Sequence, residues 1–219
     1  PISQAHIDGC IYTGSASLRF AEQLVAWGAS VRVPTTLNSI SVDQRRWREL
    51  GIDAALGEPA SALGDAYMEM GAQMSYTCAP YLLDSAPKAG EQIVWAESNA
   101  VVYANSVLGA RTLKYPDYLD ICIALTGRAP RIGSHLDKGR HASLLIEVEA
   151  PQQADDSFWP LLGYHIGLLA ACLGSRFDHV GSAWDLYILM VIDLFSSRRH
   201  KDLGHRQTGR GRHEGGSDQ

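Results

Sequence analysis

Four short polar stretches carry most of the side chains able to do chemistry: His6 and Asp8; Thr36 and Asn38; Cys78; and Glu97, Ser98 and Asn99. A further group, Asn105, Ser106 and Arg111, continues the last of them through residues 97–112. On helical spacing Val101, Ala104 and Leu108 share one face of this stretch. Asn99, Tyr103 and Ser106 form a second stripe, and Ser98, Asn105 and Gly109 a third. From Ser98 to Ala110 there is no charged residue, so the Asn and Ser side chains are not an ordinary solvated face. Without partners in apolar surroundings each would cost roughly 1–3 kcal/mol. The partners are the protein's own backbone or a bound ligand. Glu97 and Arg111 bracket the stretch with one charge at each end, and it reads as one wall of a small-molecule site.

Stepping from these side chains to the elements that must hold them, each of the four stretches falls where a strand ends. The chain reads as a strand running into the Gly9–Gly14 loop, then a helix capped by Ser15 or Ser17 with Leu18, Ala21, Leu24 and Val25 inward and Gly28 as its stop. A strand over 31–33 leads into the polar loop 34–39. Asp43 caps a helix to about residue 50, and another helix runs over 61–70. Residues 75–77 form a strand leading into Cys78, and a strand over 93–96 feeds the 97–112 helix. A helix over 116–125 follows, with Leu119, Cys122 and Ile123 inward and Gly127 as its C-cap. A strand over 142–148 and a helix over 160–173 complete the reading. Polar loops that converge on one sheet edge are the usual way an open α/β fold builds a site. Each loop also has a plain reading: His6 and Asp8 satisfying each other, Thr36 and Asn38 satisfying turn backbone, Cys78 as a buried thiol. Their recurrence at four successive strand ends favours a site.

Across 219 residues, 46% are hydrophobic and 20% charged, the composition of an ordinary globular chain. The net charge of −5 gives no nucleic-acid footprint, and no apolar run reaches the ~18–20 residues of a membrane span. Cys10, Cys78, Cys122 and Cys172 form no CxxC pair and read as thiols rather than disulfides. These properties give an α/β enzyme with an Asn/Ser/Thr-rich pocket, but not its reaction.

Longer strings narrow the reading. Ala5-His6-Ile7-Asp8, Val33-Pro34-Thr35-Thr36-Leu37-Asn38, Tyr76-Thr77-Cys78-Ala79-Pro80-Tyr81, Gly90-Glu91-Gln92-Ile93-Val94-Trp95-Ala96-Glu97-Ser98-Asn99-Ala100, Asn105-Ser106-Val107-Leu108-Gly109-Ala110-Arg111-Thr112 and Asp120-Ile121-Cys122-Ile123-Ala124-Leu125-Thr126-Gly127-Arg128-Ala129-Pro130 follow one another. Together they resemble, in order and over residues 2–167, the large catalytic subunit of the aconitase X family. The His-Ile-Asp, Thr-Cys-Ala-Pro-Tyr and Asp-Ile-Cys forms resemble its cis-3-hydroxy-L-proline dehydratases more than its mevalonate 5-phosphate dehydratases. The resemblance implies an aconitase-like α/β fold, layers of helices on short, mostly parallel sheets. It implies a cytoplasmic hydro-lyase that removes water from a small hydroxy acid such as cis-3-hydroxy-L-proline, with mevalonate 5-phosphate as the alternative substrate. An iron–sulfur cluster would act as Lewis acid on the leaving hydroxyl. By motif match Glu97, Ser98 and Asn99 are catalytic, and His6, Asp8, Thr36, Asn38, Asn105, Ser106 and Arg111 bind substrate. Cys78 is a cluster ligand, whereas Cys10 and Cys122 are packed thiols. A small swivelling subunit or fused domain is the implied protein partner, with no nucleic acid and no membrane.

Two departures limit what the resemblance carries. The family's large subunit is longer and has its other cluster cysteines in the part not matched here, and Ala171-Cys172-Leu173 does not match it. One thiolate is too little ligation for a cluster. After Gly167 the resemblance stops. Residues 1–173 are therefore expected to be a truncated, partial catalytic domain. Residues 174–219, with a lone apolar run over 184–195 and then Arg- and Gly-rich sequence, are expected to be a divergent, largely disordered tail. The alternative is a catalytically inactive fragment or binding module.

Overall fold

The structure, a computed structural model, describes residues 1–141 and 155–172. Three short parallel strands form one sheet: β1 (Gln4–Ile7) is central, β2 (Thr35–Leu37) lies on one side and β3 (Ile93–Trp95) on the other. Ala5, His6 and Ile7 pair with Thr35, Thr36 and Leu37, while Gln4, Ala5 and His6 pair with Ile93, Val94 and Trp95. Ile7, Leu37, Ile93, Val94 and Trp95 are buried, as expected for parallel strands covered on both faces. A bridge between Thr36 and Gln73 extends the sheet beyond β2. The helix-and-parallel-sheet class expected from the sequence is the class observed.

β2 begins later than the expected strand over 31–33. Residues 31 and 32 spend their N–H groups on helix ends, Val31 on Met70 O (2.9 Å) and Arg32 on Ala124 O (3.0 Å). The chain comes alongside β1 only from Pro34, whose carbonyl accepts Ala5 N at 2.9 Å. Thr36 and its neighbours, read as a loop, are therefore partly strand. Likewise 75–77 is not a strand: besides the Gln73 bridge, its backbone pairing with β2 is Thr77 N donating to Leu37 O at 3.3 Å.

α1 (Ser15–Ala26) starts at Gly14 rather than at a serine cap, and the Ser17 hydroxyl donates to Gly14 O at 2.8 Å. Ala21 is buried on its inner side, with Leu18, Leu24 and Val25 packed behind it. Asp43 does accept Arg45 N at 2.9 Å, but residues 44–51 form successive turns rather than a regular helix. α2 (Ala54–Glu69) starts seven residues earlier than expected, because Asp53 Oδ1 caps Ala55 N at 2.8 Å and the helix absorbs Pro59. A Cβ on Gly57 would lie 2.3 Å from the Trp47 ring, so that glycine lets the indole seat against α2.

After β3 the chain turns into α3 (Ser98–Tyr103), which widens into a π-helical turn over Ala104–Leu108 and ends on Gly109 at φ 72°. A single 3.6-residue period therefore does not run through 97–112. α4 (Leu119–Thr126) packs under β1 and β3 and closes on Gly127 in the left-handed conformation. Its buried side is Asp120, Ile121, Ile123 and Ala124; of the three residues expected inward, Ile123 is buried, Cys122 half-buried and Leu119 exposed. α5 (Phe158–Cys172) matches the helix expected over 160–173. The strand expected over 142–148, the run over 184–195 and the tail lie outside the described residues. Among those described, no helix is long and apolar enough to cross a membrane.

Candidate active site

All three strands run in the same direction, so their C-terminal ends and the loops that follow them lie together along one edge. Asp8 follows β1, Asn38 follows β2, Thr77 and Cys78 follow the Gln73 bridge, and Glu97 follows β3. Asn38 ties three of these ends. Its Nδ2 donates to Asp8 Oδ1 and to Glu97 Oε2, each at 2.6 Å, one hydrogen to each carboxylate. Its Oδ1 accepts Ser39 N at 2.7 Å, which fixes the amide's orientation. The shared amide brings Asp8 and Glu97 close enough for each to act on the other's proton affinity.

Two groups outside the sequence-based set complete this cluster. Lys114 Nζ lies 3.0 Å from Asp8 Oδ2 and also donates to Ala96 O. Asp120, buried in the first turn of α4, accepts Asp8 N at 2.7 Å and Ile121 N at 2.7 Å. Burial works to raise the Asp8 carboxyl. Its neighbours Glu97, Lys114 and Asn38 outweigh that and hold it below the usual carboxylate range. Glu97 is pushed upward, first by burial and then by Asp8, against the pull of Asn38 and Lys114. Burial lifts Asp120 to about 6, opposed by the backbone N–H groups that it accepts. Neighbouring carboxyls with affinities displaced in opposite directions are suited to serve as an acid and base pair.

His6 is fully buried under this pair but does not bond Asp8. Its Nε2 faces Thr77 O at 3.1 Å, an atom that can only accept, so Nε2 carries the proton. Its Nδ1 then accepts from Thr36 Oγ1 at 2.8 Å. Burial keeps the ring neutral, down to about 4. His6 and Thr36 thus clamp β1, β2 and the 77–78 loop together, and neither expected substrate-binding side chain has a free polar atom facing outward from that clamp.

Cys78 is exposed, its Sγ 3.4 Å from Ser39 Oγ. Asn99 Nδ2 donates to Cys78 O at 3.0 Å and approaches Tyr81 Oη at 3.4 Å, while Tyr103 stacks on Tyr81 at 4.2 Å. Asn99 Oδ1 is a buried acceptor with no partner among the described residues. Glu97, Ser98 and Asn99 therefore stand at the strand-end cluster, with Ser98 half-buried at the start of α3. A cleft of about 740 Å³ opens beyond Ser39, walled by Ser41, Gln44, Arg45 and Tyr76. It adjoins the cluster without being lined by Asp8, Glu97 or Cys78.

Asn105 and Arg111 point elsewhere. Asn105 Nδ2 donates to Val101 O (2.9 Å) and Thr112 O (3.0 Å), and its Oδ1 accepts from Thr112 N (3.2 Å) and Arg140 (3.1 Å). The Arg111 guanidinium bonds Asp137 Oδ1 at 2.6 Å and His135 O at 3.3 Å. Both side chains fasten the π-helical turn to the 133–140 segment. Ser106, half-buried in that turn, makes no recorded side-chain bond to the strand-end cluster.

As a metal site the described residues offer one accessible thiol. Cys10 is buried, donates to Ile7 O at 3.2 Å, and is raised well above its ordinary value by burial and nearby carboxylates. Burial also raises Cys122. Among the described residues no three His, Cys, Asp or Glu side chains come together to hold a metal ion. A thiol such as that of Cys78 suits one ligand position of a cluster, and the described residues do not group it with two further donors.

Residues 1–138 match the model of the aconitase X first domain. The chain belongs to the aconitase X family. It is 70% identical over 168 residues to a cis-3-hydroxy-L-proline dehydratase of Pseudomonas aeruginosa, a match covering 77% of this chain and 29% of that enzyme. It is 39% identical to a phosphomevalonate dehydratase large subunit of Methanothermobacter thermautotrophicus, covering 77% of this chain and 42% of that one. The holo-form crystal structure of Thermococcus kodakaraensis aconitase X aligns at a TM-score of 0.66 and 35% identity, over 76% of this chain and 41% of that chain. This aconitase X chain thus spans under a third of the hydroxyproline dehydratase and under half of the other two. The Pseudomonas and Methanothermobacter relatives are dehydratases, and the expected hydro-lyase class agrees with them.

The sequence-based reading missed Lys114 and Asp120. Asp120 was visible as a lone acid between Leu119 and Ile121 in an apolar helix. Lys114 carried no such signal, since its value comes from reaching back to β1.

Proposed function

We propose that this chain carries one wall of a dehydratase active site acting on a small β-hydroxy acid, cis-3-hydroxy-L-proline before mevalonate 5-phosphate. The observation that carries this reading is the Asp8–Asn38–Glu97 cluster at the ends of three parallel strands. Removing water from such a substrate requires a proton taken from the carbon beside the carboxylate and a proton delivered to the departing hydroxyl. A paired carboxylate and carboxylic acid supply both. Asn99, with its unpartnered Oδ1 beside the Cys78 loop, is placed to orient substrate, and Ser98 adjoins it. A bound iron–sulfur cluster would add Lewis-acid assistance to loss of the hydroxyl, and Cys78 would hold one of its irons. His6 and Thr36 keep the strand ends in register. The greater identity to the hydroxyproline dehydratase than to the phosphomevalonate enzyme supports the first substrate. The large-subunit relative supports a small-subunit or fused-domain partner.

Asp8→Asn and Glu97→Gln decide the reading. They are introduced into this chain and assayed by proton NMR for loss of cis-3-hydroxy-L-proline, with the unmatched portion of the Pseudomonas relative supplied as a second polypeptide under anaerobic, iron- and sulfide-replete conditions. We expect turnover in the reconstituted unsubstituted protein and a fall of about 10²–10⁴-fold in kcat for each variant. Wild-type kcat in both variants would remove the pair from the reaction. A second reading, a chain inactive by itself, is favoured by Cys78 being the one exposed thiol among the described residues. It predicts no turnover without the added portion, and turnover by the chain alone would overturn it.

A further inference from the structure

The Asp8–Glu97 pair is nearly symmetric in its contact with Asn38 and asymmetric in its contact with charge. Asn38 places one amide hydrogen on each carboxylate at the same 2.6 Å. The ammonium of Lys114 sits 3.0 Å from Asp8 Oδ2, and its second bond, to Ala96 O, holds it there rather than on Glu97. Lys114 reaches the site from the segment following Arg111, and the carbonyl that anchors it directly precedes Glu97. The Asp8 side chain is 15% exposed and that of Lys114 34%, so the pair is drier than the surface but open to a ligand.

We propose, on the reading of the pair as proton-handling groups, that Lys114 is the positioning residue that assigns the pair's single proton to Glu97, making Asp8 the base and Glu97 the acid. The other charged and titratable groups around the pair do not undo this. Asp120, beneath Asp8 on α4, is a carboxylate whose charge disfavours ionisation of Asp8, and Asp117 and the buried Cys10 thiol lie on the same side. His6 on β1 is neutral. Lys114 is thus the cation whose charge, with the two Asn38 bonds shared equally, separates the two carboxyls. In the step itself the Asp8 carboxylate takes the proton from the carbon beside the substrate carboxylate as the carbon–carbon double bond forms. The carbon–oxygen bond breaks, and the Glu97 proton joins the departing hydroxide as water. Asp8, now protonated beside Glu97 under the same Asn38 amide, passes that proton to Glu97, and nothing is left over.

The test reads the protons without requiring turnover. The 219-residue chain is labelled with ¹³C at Asp and Glu carboxyls, Asp8→Asn and Glu97→Gln assign the two signals, and both are titrated. Glu97 is expected to lose its proton at higher pH than Asp8. In Lys114→Met the Asp8 midpoint is expected to rise by about tenfold in proton affinity and the two midpoints to approach each other. Lys114→Arg should keep the original order. Where Lys114→Met loses the dispersed amide spectrum of a folded chain, Lys114→Gln, which keeps hydrogen-bonding reach without charge, is read in its place with the same expectation. Asp8 titrating above Glu97 in the unsubstituted chain, or midpoints unmoved in the folded neutral variant, would overturn the assignment. Unmoved midpoints beside inactive Asp8→Asn and Glu97→Gln would sink the role of Lys114 alone, whereas full activity in those two variants would sink the function and leave the titration order standing.

Discussion

Asn38 has one amide group and two carboxylates to satisfy, and that stoichiometry shapes the site. A neutral side chain with two donors on one nitrogen can hold two acids together, where a lysine would draw both charges and an aspartate would repel them. Asn38→Asp removes both bonds, of which the one to the Asp8 carboxylate is charge-assisted and worth about 1.5–3 kcal/mol, and adds a third carboxyl group. The folded chain is expected to lose about 3 kcal/mol or more at pH 8 by urea unfolding. The loss should shrink as pH is lowered and the carboxyls take up protons. An equal loss at all pH values would show that packing, not charge, makes Asn38 matter. At the same scale, Asp8→Asn and Glu97→Gln test the reaction and Lys114→Met the location of the proton. These three experiments separate architecture, chemistry and assignment.

The stretch 97–112 behaves as two elements with different tasks. α3 presents Glu97 and Asn99 to the strand ends, and the π-helical turn hands the chain to the 133–140 segment through Asn105, Arg111 and Arg140. At the junction with the widened turn, Val101 O accepts from Ala104 N and also from Asn105 Nδ2. Asn105→Ala would leave Thr112 N without its acceptor and take one donor each from Val101 O and Thr112 O, which keep Ala104 N and Ser134 Oγ. It is expected to destabilise the chain by about 2–3 kcal/mol in a thermal or urea melt. If Asn105 instead binds substrate, the variant will melt like the unsubstituted chain and show its defect in KM.

For the molecule as a whole, two buried histidines set the response to acid. His6 and His135 are both held down from 6.5 to about 4, in each case mainly by burial, with Arg111 adding to the effect on His135. Each binds its proton more weakly folded than unfolded. Their contribution to stability is therefore complete above pH 6.5 and is lost as pH falls toward 4. Asp120, raised from 3.8 to about 6, has the opposite sign: its contribution is complete below 3.8 and is lost as pH rises through 6. With two groups against one of similar size, stability is expected to drop on the order of 3 kcal/mol between pH 7 and 4. Urea midpoints across that range measure it, and His135→Gln should flatten the slope. A midpoint that rises on acidification would mean that Asp120 dominates.

What was legible from the residues was what local chemistry and long strings can carry. The parallel α/β class, the helix stops at Gly28 and Gly127, the strand at 93–95, the family, and a polar cluster at successive strand ends all follow from spacing and identity. The start of β2 at Thr35 was not legible, because it depends on where Val31 and Arg32 find acceptors across the fold. Nor was the break in period at Ala104, since a π-helical turn is fixed by the Asn105 bonds made after the chain has folded back. The sequence determined that Asp8, Asn38 and Glu97 would each stand at a strand end. Tertiary structure alone decided that one amide would bridge the two acids and that Lys114 would reach only one of them. Contact between groups 30, 59 and 106 residues apart is set by sheet register, not by anything local to the residues.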